Sequence, residues 1–337
     1  MIYYNMKFIL NRINWVKHNI IKIKRHKSPV GFLIHLIKSK TVFALGNNLQ
    51  FLLPLSIFKY RRHNYFLHYA PNQFSDVLYS YPDIIRHPDD EEFLKTYLKS
   101  SDNYIDIGAN IGTTTLCATV ATSANNTSTY SSALTPRDGL TIAYEAHPET
   151  FTYLTRSILN NKKLIPRIIT RNIALGDSEG IIGFSTIKNH DDINHVISES
   201  MPESTEEKLV NEEHSIKVPI KRLDYELTFS KINLIKIDVE GYELQVFNGA
   251  KDTLTKTEAI FFEIYDKNAE MFNYKTIEII NLLSDVGFKI YKIDIIHKSL
   301  KRLDIQSYSG SPQCENMIAV RDEANLCSRT GYVIIHT

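Results

Sequence analysis

The first 75 residues contain no aspartate or glutamate, although they hold 12 of the chain's 39 Lys and Arg. The first acid is Asp76. The other 27 basic residues face all 38 acidic ones, so a formal net charge of +1 conceals a basic head and an acidic body. Cysteine is also scarce. Cys117, Cys314 and Cys327 are odd in number and form no CxxC pair, which argues against a disulfide framework and a structural zinc site. A reducing, cytoplasmic setting is the expectation. No apolar run approaches the eighteen or so residues of a spanning helix, and the run 51–58 is far too short. The N-terminus lacks a compact apolar core followed by a small-residue cleavage site, so no signal peptide is expected. The dinucleotide fingerprint GxGxxG is missing, which disfavours NAD. Two further motifs are absent: Asn-Pro-Pro-Tyr, which marks amine methylation, and Pro-Cys, which marks attack on a cytosine ring.

What the chain does have begins with a stripe. Ile2, Met6, Ile9, Ile13, Val16, Ile20 and Ile23 recur at spacings of four and three, with Arg12, Lys17, Lys22, Lys24 and Arg25 between or beside them. This predicts an amphipathic basic helix. Residues 1–27 would suit an anionic membrane surface; packing on the body, or on a second copy as a homodimer, remains open. A further helix is expected at 89–99, where Pro88-Asp-Asp-Glu-Glu supplies first-turn acids.

From residue 103 the pattern alternates. Strands are expected near 103–107, 140–145, 167–173, 232–238, 259–264, 288–294 and 316–321, and helices near 111–121, 148–161, 242–254 and 275–286. Strand–helix alternation predicts an α/β fold with a mostly parallel sheet and helices on both faces. Two organisational units follow: residues 1–87 as a basic, aromatic N-terminal extension and 88–337 as the α/β domain. A polar insert at 122–132 and an irregular segment at about 186–215 read as surface loops. The latter holds His190, Asp191, Asp192 and His195, but without ligand-like spacing, so no metal is expected.

Four patches carry chemistry. In YIDIGANIG, Asp106 ends a strand and Gly108 and Gly112 bracket the turn before a helix, a place for a ligand to approach exposed backbone. An acid followed by this turn suits a cofactor with a positive amino-acid end, such as S-adenosyl-L-methionine. In YEAHPETF, Glu145 ends the second strand, where an acid accepts from ribose hydroxyls; a first-turn helix acid is the other reading. Its separation from Asp106 exceeds the usual ~20 positions because of the polar insert. In NIALGDSEG, Asp177 stands where an adenine amine is read, or marks an ordinary turn. In LIKIDVEGYE, Asp238 ends a strand and Glu240 and Glu243 follow. Glu243 reads as a first-turn helix acid. Asp238, Glu240 or His147 would take the proton of an acceptor hydroxyl.

In this order and spacing, YIDIGANIG, YEAHPETFTYL, NIALGD and LIKIDVEGYELQVFNGA with AIFFEI resemble the FkbM family of S-adenosylmethionine-dependent methyltransferases. The resemblance covers roughly 100–265 and implies a class I methyltransferase (Rossmann-like) sheet. It further implies methylation of a hydroxyl on a sugar, glycan, glycolipid or secondary metabolite. Asp106, Gly108, Asn110, Gly112 and Glu145, with Ala174 and Asp177, would then hold S-adenosyl-L-methionine, while Asp238 and Glu240 face the acceptor. A nucleic-acid methyltransferase, suggested by the basic head, and a non-catalytic binding module are the alternatives.

Overall fold

The computed structural model describes residues 59–62, 64–68, 88–123, 139–185, 196–197 and 215–335. The basic stripe at 2–23 and the His190–His195 loop lie outside the described residues, as does most of the polar insert. Among the described residues no helix is long and apolar enough to cross a membrane.

A hairpin, β1 (Lys59–Arg62) and β2 (Tyr65–His68), precedes helix α1 (Pro88–Tyr97). Then come β3 (Tyr104–Ile107), α2 (Thr113–Ser123), β4 (Thr141–Tyr144), α3 (Pro148–Leu159) and β5 (Ile168–Arg171). Four strands, β6 (Ala174–Leu175), β7 (Gly180–Ser185), β8 (Val196–Ile197) and β9 (Ser215–Lys221), form a separate sheet. A single turn, α4 (Leu223–Glu226), leads to β10 (Ile232–Ile237), α5 (Glu243–Asn248), α6 (Lys251–Thr255) and β11 (Thr257–Ile264). Helices α7 (Asp266–Met271) and α8 (Thr276–Asp285) precede β12 (Lys289–Asp294), β13 (Ser299–Arg302) and β14 (Glu315–Val320). The chain then closes with α9 (Glu323–Thr330) and β15 (Val333–Ile335).

Nine strands make the main sheet in the order β15-β13-β12-β14-β11-β10-β3-β4-β5. The run β11-β10-β3-β4-β5 is parallel throughout, and β14 is inserted antiparallel to β11 and β12. From β3 the chain steps one way through β4 and β5, then re-enters on the other side at β10. That reversal is a topological switch point, and a crevice opens outside the carboxyl ends of β3 and β10.

All seven expected strands form. The apolar runs of β3, β4 and β10 are buried end to end, as a parallel sheet covered on both faces demands. Side chains alternate between two cores. Ile105, Ile107, Ile235 and Ile237 face α5, α8 and the small sheet. Tyr104 and Leu234 face α1, α2, α3 and α9. The small sheet and β13, α9 and β15 were not anticipated from sequence. The helix expected over 242–254 is broken at Gly249-Ala250, because Gly249 presses against another backbone: a Cβ there would lie 1.8 Å from the Gly176 carbonyl oxygen. The β2 strand, inside the span read as an extension, is latched to α3. His68 N donates to Ser157 Oγ (2.9 Å), and Phe66 N donates to Asn161 Oδ1 (2.9 Å).

Candidate functional site

The turn after β3 is tied to its neighbour strand. Gly108 N and Ala109 N both donate to the Tyr144 carbonyl at the end of β4 (3.1 and 3.0 Å), and Leu116 N donates to Gly112 O as α2 begins. Asn110 adopts φ +49°, a left-handed conformation that asparagine tolerates through its short polar side chain, here accepting from Ile111 N at 2.7 Å. Its own N–H donates to Glu145 Oε2 at 2.9 Å. The other oxygen, Oε1, accepts from His147 N at 2.9 Å. Glu145, 8% exposed, thus fastens the turn after β3 to the segment after β4. Asn172, just past β5, donates through Nδ2 to the Glu145 and Ala146 carbonyls, joining a third strand end to the same structure.

The glycines have reasons of their own. Gly108 (φ +81°) lies against β10, where a Cβ would be 1.8 Å from the Asp238 carbonyl oxygen. Gly112 (φ +95°) lies against Leu154 of α3. The sequence suggested that these glycines make room for a ligand; the room they make is for β10 and α3.

Asp106 requires a correction as well. Its side chain is completely buried beneath the turn, on the α1–α2 face of the sheet rather than at the mouth of the crevice. Its Oδ2 accepts from Thr114 Oγ1 (2.9 Å) and Thr115 Oγ1 (2.6 Å), which pins the start of α2. Burial raises its pKa, opposed by the Lys236 charge and by the hydrogen bonds from Thr115 and Thr114. Lys236 is its in-register neighbour on β10 and is also buried. Lys236 Nζ lies 2.7 Å from Asp238 Oδ2 and 3.9 Å from Asp90 Oδ2 of α1. Burial works against the charge on Lys236, but Asp238, Asp90 and Asp106 together outweigh it and hold its pKa above the ordinary value.

Across the switch point, Glu240 takes φ +55° and precedes Gly241 at φ +107°. Glu243, at the start of α5, holds this bend: its Oε1 accepts from Val239 N and Gly241 N, both at 3.1 Å. The first-turn reading of Glu243 therefore stands, with the turn itself as what it stabilises. The oxygens of Asp238, Glu240 and Glu263, the last from β11, all lie within 4.8 Å of one another. Among the described residues this is the one acidic group with the geometry to hold a cation. Burial, with the charges of Asp238, Glu263 and Glu243, pushes Glu240 well above the usual carboxylate range. Burial and the Asp238 charge push Glu263 up to about 8. The Cys314 thiol donates to Glu263 Oε1 at 2.8 Å and is itself pushed up, chiefly by burial.

The structure therefore brings Gly108, Asn110, Gly112, Glu145 and Asp238 together at one switch point, with Glu240 beside Asp238. His147 lies next to Glu145, but its Nδ1 accepts from Thr150 N at 3.3 Å as the N-cap of α3. Burial lowers its pKa. That leaves the ring a helix cap more than a base. Ala174 is buried in β6, paired with Ile220, and Asp177 is exposed in the turn that follows, near Tyr242. Sequence reasoning passed over Lys236, Glu263 and Asn172. A lysine inside the apolar run Ile-Asn-Leu-Ile-Lys-Ile was the available signal for the first. An acid at the end of a further strand was the signal for the second.

The Methyltransferase FkbM domain matches residues 106–290. The curated "Methyltransferase 1" of Beauveria bassiana is 26% identical over 203 residues, covering 55% of this chain and 72% of that protein. Among solved structures, Methyltransferase FkbM from Methylobacillus flagellatus aligns with TM-score 0.41 and 12% identity over 73% of this chain. This chain spans only 54% of that protein's length. A SAM-dependent methyltransferase from Aquifex aeolicus aligns with TM-score 0.35 and 12% identity, over 69% of this chain and 90% of that one.

Proposed function

The chain belongs to the FkbM methyltransferase family, and from that premise we propose that it uses S-adenosyl-L-methionine to methylate a hydroxyl of a sugar, glycan, glycolipid or secondary metabolite. The observation that carries this reading is Glu145. It stands at the carboxyl end of the second strand and holds the turn after the first through Asn110 N. A carboxylate oxygen accepts more than one hydrogen bond, so Glu145 as an acceptor suits the donating hydroxyls of a ribose diol as well as the backbone N–H groups of Asn110 and His147. The cofactor-holding residues are then Glu145 and the backbone of 108–112, with the segment from Ala174 to Asp177 towards the base. Asp106 acts beneath them by anchoring α2.

When bound, the cofactor supplies a methyl group on a sulfonium, which departs as a neutral thioether. The chain's own task is to align the acceptor oxygen and receive its proton. Asp238, a third exposed and held by Lys236, is the group we assign as base. Glu240 and Glu263, both with raised pKa, share the proton within the cluster.

Calorimetric titration with S-adenosylhomocysteine tests the cofactor half, with NAD as control. Micromolar binding of the homocysteine compound alone is expected, weakened at least tenfold by Glu145→Ala. A folded Glu145→Ala protein that binds like the parent removes Glu145 from the site.

A further inference from the structure

A second concavity, of about 360 Å³, opens beside the β12–β13 pair, near the carboxyl end of β13. It is lined by Lys292, Lys301, Arg302, Asp304, Ser307 and Tyr308 among others. The pairing of β12 with β13 sets Lys292 directly opposite Lys301. Like charges directly opposite on neighbouring strands weaken a sheet. Glu315 Oε2 lies 2.6 Å from Lys292 Nζ and relieves one of the two. Arg302 reaches Glu323 only at 4.0 Å, and that carboxylate already takes Lys289 and Tyr291. Lys301 is exposed and has no ion-pair partner among the described residues. The acid in the wall, Asp304, is engaged by its own loop, accepting from Gln306 N (3.1 Å) and Ser307 Oγ (2.8 Å). A break of the local pairing rule inside a concave, hydroxyl-lined site is what a binding function leaves in a sequence.

The segment 310–314 runs from this cavity to the acidic cluster. Gly310 lines it, and a Cβ there would lie 2.5 Å from Asp266 Oδ2, at the start of α7. Asp266 N donates to Ser311 O at 2.9 Å. Cys314, at the other end of the segment, touches Glu263 of the acidic cluster. Residues 310 and 314 are at most about 14 Å apart along an extended chain.

We propose that the cavity binds a phosphate group carried by the methyl acceptor, so that the acceptor is a phosphate ester of a sugar or related alcohol. With Lys292 taken by Glu315, the Lys301 ammonium and the Arg302 guanidinium match a phosphate dianion in charge, and the fork of Arg302 matches it in shape. With its phosphate held there, the acceptor would extend along the segment 310–314, its reacting hydroxyl towards Asp238. The proposal rests on the hydroxyl-methylation reading above, but its binding site is tested independently of it.

The full chain is titrated with glucose 1-phosphate, glucose and inorganic phosphate at low and high salt, and separately with S-adenosylhomocysteine. Glucose 1-phosphate is expected to bind at low salt and to be displaced by inorganic phosphate, while glucose does not bind. Lys301→Glu should weaken the phosphate ester at least tenfold and Lys301→Gln by less, with Tm the same or slightly higher, as the like-charge pair is relieved, and S-adenosylhomocysteine binding unchanged in both. A parent protein that binds S-adenosylhomocysteine but neither phosphate compound overturns the proposal, and so does a Lys301→Glu protein that titrates like the parent. Phosphate binding that depends on Lys301 without any S-adenosylhomocysteine binding upholds the cavity and removes the cofactor reading instead.

Discussion

Replacing Lys236 by methionine isolates the charge that three acids depend on. Methionine fills nearly the same space, so no large cavity follows. What remains is Asp90, Asp106 and Asp238 around a missing cation, with Asp106 wholly buried. Removing one partner of a buried ion pair costs about 3–5 kcal/mol. Asp238 is 33% exposed and recovers some hydration, so the lower end, about 3 kcal/mol, is expected. With a urea slope near 3 kcal/mol/M for a domain of this size, the midpoint falls by roughly 1 M. The pH dependence gives a second check. The Lys236 pKa is raised in the folded protein, so its contribution is complete below its unfolded pKa of about 10.4 and is lost only as pH rises beyond that. Between pH 5 and 8 the parent therefore keeps it. In the variant Asp106, whose folded pKa burial already raises, loses the opposing lysine charge and takes up a proton more readily folded than unfolded, so stability recovers as pH falls. The gap between parent and variant, read by urea unfolding, should be wide at pH 8 and narrower at pH 5. A loss under about 1 kcal/mol at pH 8, or an equal gap at both pH values, refutes the argument.

Two other outcomes follow from the same structure, and a third from the sequence of the N-terminal stripe. Gly249→Ala forces a Cβ into the Gly176 carbonyl and should cost about 3 kcal/mol, lowering Tm by roughly 6–12 °C; a drop under 2 °C would show that the two backbones can part cheaply. Because burial and Asp238 place the Glu263 pKa at about 8, the methyl-transfer rate should rise with pH through that value as the cluster gives up its proton. Glu263→Gln should move that limb, and a flat parent profile from pH 6 to 9 contradicts the assignment. Finally, we propose that the basic stripe binds anionic membrane. Sedimentation with phosphatidylserine liposomes should then retain the full chain and lose a chain without residues 1–27, and equal binding by both ends that idea.

Much of the α/β plan was legible because it rests on short-range pattern. Tyr-Ile-Asp-Ile and Leu-Ile-Lys-Ile are apolar runs that only a doubly covered parallel strand satisfies, and the glycine turns mark where such strands end. The small sheet was not legible. Its strands β6 and β8 are two residues each, and β9 lies about forty residues from β6, so their pairing comes from contacts the local sequence does not encode.

Short-range pattern alone says which residues end the strands: Glu145, Asp238 and Glu263 are acids at strand termini wherever the sheet is drawn. Tertiary structure decided what those and their neighbours do. Side-chain alternation turns Asp106 and Lys236 to the same buried face, so the acid that looked like a ligand for the cofactor becomes an anchor for α2 and a counter-charge for a lysine. Chain crossover brings β3 beside β10, which alone makes Gly108 answer to the Asp238 carbonyl. Register sets Lys292 opposite Lys301 and Glu263 within reach of Glu240. Charge, burial and partner are properties of position in space, and only the packed sheet assigns them.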